Sequence, residues 1–208
     1  MRDKSGWNTE EKKFLDSLNT PSKIQQFLDG IPYSTDEKYR CPRSVIRDKK
    51  AHCFDGAVFA AAALSQIGYE PLIMQLRAVR DDDHMIALYK INNHWGAVAK
   101  SNFVGLRFRE PIYRNLRELA ISYFEFYYNI EYEKTLREYS VKLNLKYFDK
   151  YNWMTEDECM DLIADKLDKL RHYPLITREM INLLNKVDQR SYIGGMYGTD
   201  EKGLYKPS

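Results

Sequence analysis

Two side chains in this sequence have the type and placement for nucleophilic chemistry: Cys53 and His84. Cys53 stands where a polar stretch, Arg-Asp-Lys-Lys-Ala-His, gives way to an apolar one, and that junction reads as the amino end of a helix. A thiol there feels the positive end of the helix dipole and unpaired backbone N–H groups. Both favour thiolate and lower its pKa from about 8.5 toward roughly 3.5–7.5. The same N–H groups can hold an oxyanion beside the sulfur. His84 opens a strand-length run two elements later and supplies the base that a thiol nucleophile needs. A lone cysteine beside an apolar helix is more often packing; the ordered pair is what argues for chemistry. A metal reading of His52, Cys53, His84 and His94 finds no paired-ligand spacing. With no P-loop and no G-x-G-x-x-G, neither a metal nor a cofactor is expected.

The elements that position this pair are legible in outline. A helix is expected from about Cys53 to Ile67, because Ala57 to Leu64 is apolar without interruption and Gly68 suits the position just past a helix end. Three strand-length runs follow, Pro71–Ala78, His84–Ile91 and Trp95–Lys100, separated by Asp81-Asp82-Asp83 and Asn92-Asn93. An antiparallel meander packed on the helix is the simplest arrangement, so the fold class is α+β. The three acids read as a solvated hairpin turn. Asn8 or Thr9 caps a first helix, and Thr20-Pro21 starts a second that ends at Gly30, with a loop over 31–44. Beyond Asn115 the apolar spacing predicts amphipathic helices, with further starts near Thr155 and Thr177.

Length and charge bound the rest. The chain has 208 residues, 32 Lys+Arg and 30 Asp+Glu, a net charge of +2 that carries no nucleic-acid footprint. The aromatic run over 121–132 has only acids for charges, which also argues against nucleic acid. No stretch reaches the ~18–20 apolar residues of a bilayer span. Three distant cysteines fit a reducing compartment, and the expectation is a cytoplasmic protein in which Cys41 and Cys159 are quiet and unpaired. One unit over 1–208 is expected, with a core at about 20–112, a helical extension at about 113–192 and a loose tail at 193–208. Oligomeric state is open.

Residues 42–71, PRSVIRDKKAHCFDGAVFAAAALSQIGYEP, resemble the nucleophile segment of the transglutaminase-like, papain-related cysteine enzymes. His84 in DDDHMIALYK resembles the family's histidine at the head of a strand, and Trp95 its tryptophan opening the next one. The resemblance spans about a third of the chain and implies a papain/transglutaminase-like core. It implies a Cys53 nucleophile, a His84 base, and hydrolysis or acyl transfer on a peptide or other amide- or ester-containing substrate. Two departures stand out. Ala51 replaces the glycine two residues before the cysteine, and no acid follows Trp95, the expected place falling near Ala99. Asn102 is the nearest polar candidate to orient His84, as an asparagine does in papain-like peptidases; a turn residue at a strand end is its other reading. The departures also motivate an alternative, a catalytically degenerate fold acting as a binding module. A third option makes the helical carboxy-terminal half an interaction surface.

Overall fold

A computed structural model describes residues 6–205. Helix α1 (Thr9–Ser17) begins with a capping box: the Asn8 side chain accepts from the Glu11 N–H at 2.9 Å, and the Glu11 carboxylate accepts from the Asn8 N–H at 2.8 Å. Thr20 caps α2 (Pro21–Gly30) in the same sense. Helix α3 (Pro42–Asp48) begins inside the segment expected as a loop and runs past its end. Pro42 opens it at the first helical position, where the missing N–H costs nothing. Lys49 then takes a left-handed conformation (φ 49°) and reverses the chain. Helix α4 (Cys53–Gln66) is buried along its whole length from Cys53 to Leu64, as its all-round apolar character requires.

The strands are β1 (Leu72–Ala78), β2 (His84–Ile91), β3 (His94–Val98) and β4 (Arg109–Tyr113), followed by α5 (Leu116–Ile121). The extension then corrects the helical expectation. It adds β5 (Leu136–Ser140), β6 (Leu143–Asn144), α6 (Met160–Asp168), β7 (His172–Pro174), α7 (Arg178–Ile181) and α8 (Gln189–Gly195). The described strands form one antiparallel sheet in the order β4-β3-β2-β1-β5-β7, with β6 also on β1. The architecture is α+β.

Alternation along β1 and β2 sends side chains to two buried layers. Ile73, Ala87 and Tyr89 face α4, whose alanines let the helix lie close to the sheet. Met74, Ile86 and Leu88 face α5 and the aromatic segment Tyr123–Tyr127. Gly56 has a packing reason of its own: a methyl there would overlap the Lys100 side chain that crosses α4. Buried Arg40 and Asp55 tie the lead-in chain to the α4 start. The Asp55 carboxylate accepts the Arg40 N–H at 2.8 Å and the His52 N–H at 3.0 Å.

Candidate active site

Cys53 is the first residue of α4, where its N–H has no intrahelical acceptor. Its Sγ lies 3.5 Å from Nδ1 of His52 and 3.7 Å from the Asp83 carbonyl oxygen. His84 is the first residue of β2 and is buried. Its Nε2 sits 2.8 Å from the Leu106 carbonyl oxygen. A carbonyl only accepts, so Nε2 carries a hydrogen and Nδ1 is the ring nitrogen left to exchange a proton.

Burial alone would push the Cys53 thiol up. The positive charge of His52 and its hydrogen bond, followed by the hydrogen bond and charge of His84, outweigh that and hold the thiol well below its ordinary range. His52 moves in the opposite direction, to about 9, because the Cys53 thiolate stabilises its charged ring against burial. The two directions together favour a thiolate–imidazolium pair. Tyr33 approaches the same sulfur, and burial together with the thiolate pushes its phenol well up. The other two cysteines differ: burial lifts Cys41 to about 12 and Cys159 to about 11, and neither forms a disulfide.

His52, 3.5 Å from the sulfur, is the side chain that the motif spacing left unassigned except as a rejected metal ligand. The signal for it was adjacency. The residue before a helix-starting cysteine is the helix cap, and a cap side chain shares the space at the helix end.

The expected bond from Asn102 to His84 is corrected. The Asn102 amide is committed to Asp200, donating from Nδ2 to the carbonyl oxygen at 2.9 Å and accepting the Asp200 N–H at Oδ1, also at 2.9 Å. The position near Ala99 is closed as well, since Gln25 of α2 bonds both the N–H and the C=O of Ala99. The backbone of the Val104–Leu106 turn takes the orienting position instead. That turn is clamped by Arg109, which donates to the Gly105 carbonyl at 2.8 Å and lies 3.8 Å over the Tyr123 ring, itself edge-on to His84.

Ala51 needs no glycine, because it is held in an isolated parallel bridge with Tyr33 while Lys49 makes the turn. Asp81–Asp83 form a turn that is exposed at Asp82 and half-buried at Asp81 and Asp83. Asp83 accepts from Gln75 and from the Ala78 N–H, and Asp81 accepts from Thr135 at 2.6 Å. Burial lifts Asp81 to about 6. The Asp82 carbonyl accepts from Tyr127 at 2.6 Å, and burial, then the Cys53 thiolate, pushes its carboxyl up. Among the described residues no group of three His, Cys, Asp or Glu could hold a metal, and no helix is long and apolar enough to cross a membrane.

Neither protein-family profiles nor curated protein sequences give a match to this chain. Among solved structures, Legionella pneumophila LapG is similar at 18% identity with a TM-score of 0.35, over 47% of this chain and 68% of that one. Its EGTA-treated and calcium-bound forms are similar at 18% identity with a TM-score of 0.34, over 47% of this chain and 66% of theirs.

Proposed function

We propose that this protein is a transglutaminase-like cysteine enzyme acting on an amide or ester, with Cys53 as nucleophile. The observation that carries the reading is the Cys53 sulfur at a helix start, 3.5 Å from His52, beside a His84 ring locked by the Leu106 carbonyl. In this reading the thiolate attacks the substrate carbonyl and forms a C–S bond. The oxyanion is met by the Cys53 N–H. His84 holds the thiol proton at Nδ1 and delivers it to the leaving amine as the C–N bond breaks, while His52 keeps its charge beside the sulfur. Water then gives hydrolysis and an amine gives acyl transfer; the residues suit both. The three unpaired cysteines accord with a reducing, cytoplasmic setting.

The test separates the two histidines by leaving group. p-Nitrophenyl acetate should acylate Cys53, detected by mass spectrometry, and Cys53→Ser should stay unmodified. Its phenolate leaves without a proton, so His84→Ala should keep most of this acylation while losing turnover of any amide substrate. No acylation of the wild type would favour the second reading, a binding module. The observation for that reading is the absence of a carboxylate behind His84, where a carbonyl stands.

A further inference from the structure

The segment 197–205 does not hang free. It crosses the cleft beside Cys53, and Gly203 and Tyr205 line the same space as Cys53 and His84. That space is only about 30 Å³, whereas the cleft on the other side of the segment, lined by Asp29, Lys100 and Arg107, is about 650 Å³. Tyr33 and Asn102 line both.

Three features show how the segment is recognised. Asn102 reads backbone, pairing with the N–H and C=O of Asp200. Its own carbonyl accepts from the Thr199 hydroxyl at 3.1 Å. At Gly203 a side chain would be crowded: a Cβ would stand 3.0 Å from the Asn102 Nδ2 and 3.1 Å from the Tyr33 ring. Between them the chain makes a 3₁₀ turn, Glu201–Gly203, with Asp200 accepting the Lys202 N–H.

We infer that Tyr33 and Asn102 form a peptide-binding site over Cys53, occupied at rest by residues 199–205, and that it takes a turned peptide presenting glycine between these two side chains. This rests on the proposed function for what happens next. An incoming peptide displaces the segment and brings its own carbonyl to the sulfur. Backbone pairing by Asn102 makes most of the sequence irrelevant, and the tight Tyr33–Asn102 gap favours a residue without a Cβ over any larger one.

The experiment uses the full chain and reads labelling of Cys53 by biotin-maleimide, with peptide mapping to exclude Cys41 and Cys159. Wild type should label slowly. Asn102→Ala removes the tether and should speed labelling by about tenfold, the size expected for losing two hydrogen bonds across an open–closed equilibrium; Gly203→Leu removes the fit and should speed labelling severalfold. Because the Leu sits on a surface segment, Gly203→Leu still reads the proposal if Asn102→Ala fails to fold. A synthetic peptide of residues 199–205 should slow the Gly203→Leu variant again, and the same peptide with leucine for its glycine should not. Unchanged labelling in the folded variants, or no slowing by the glycine peptide, overturns the inference. The pH midpoint of the same labelling separates the two proposals. Faster variants with an ordinary thiol midpoint would leave the peptide site standing and remove the enzyme. A depressed midpoint with unchanged variants would do the reverse.

Discussion

Replacing His52 by alanine leaves the Cys53 sulfur buried with one imidazole where it had two. Burial is the largest influence on that thiol and acts upward, and the charge of His52 is the largest one opposing it. The iodoacetamide reaction of Cys53 in His52→Ala should therefore shift to higher pH. An unmoved profile would assign the depressed thiol to His84 alone. Catalysis should show the same pair from the other side: activity should fall on an alkaline limb near 9, where His52 loses its proton, and that limb should vanish in His52→Asn. Cys53 and His84 were readable in the sequence because each stands at the first residue of an element, where a change of pattern marks it. Asn102 was misread for a physical reason. The group holding His84 is a main-chain carbonyl, which every residue carries and no side-chain spelling reveals.

At the scale of elements, the start of α4 is positioned by what crosses it. Gly56→Ala would set a methyl against Lys100, whose ammonium is anchored to the Leu28 carbonyl at 2.8 Å and so cannot swing aside. A destabilisation of about 1–3 kcal/mol is expected from overpacking of this kind. Urea denaturation checks it, and a neutral result would mean that α4 has slack against Lys100. Asp55→Ala should cost more, about 3–5 kcal/mol, because it strips a partner from the buried Arg40 and both N–H bonds from the lead-in chain. The strands and α4 were legible from runs bounded by turn residues. The helix from Asn115 was legible only at its beginning. Ser122 ends it by returning its hydroxyl to the Leu119 carbonyl at 2.6 Å and accepting from Arg109, competition that periodicity does not register.

For the molecule as a whole, the carboxy-terminal half widens the sheet rather than standing apart from it. β5 lies against β1, and Tyr192 of α8 stacks on Tyr132 at 4.0 Å. The short strands β5 and β7 were hidden because mixed charged and aromatic sequences such as Leu-Arg-Glu-Tyr-Ser acquire strand form from the neighbour they pair with. The tail expected to be loose over 193–208 is bonded to Asn102 through Thr199 and Asp200, and 206–208 lie outside the described residues. Partial burial of Asp81 in the acidic turn also shapes stability. Asp81 is raised from 3.8 to about 6, so between these values the folded protein holds a proton that the unfolded chain has released. Its contribution is complete below about pH 4 and is lost as pH rises through 6. Urea midpoints at pH 4 and pH 7 should show a loss across this interval that Asp81→Asn reduces; equal slopes in both proteins would contradict the assignment.

The central claim is that Cys53 rests as a thiolate, and a titration reads it directly. The ultraviolet thiolate absorbance of the wild type minus that of Cys53→Ser isolates this sulfur from Cys41 and Cys159, which burial keeps protonated. A difference signal already present at neutral pH, with its midpoint well below the ordinary thiol value of about 8.5, is the result predicted. A midpoint at or above 8.5 would contradict the account, leaving Cys53 as a packed side chain at the head of a buried helix.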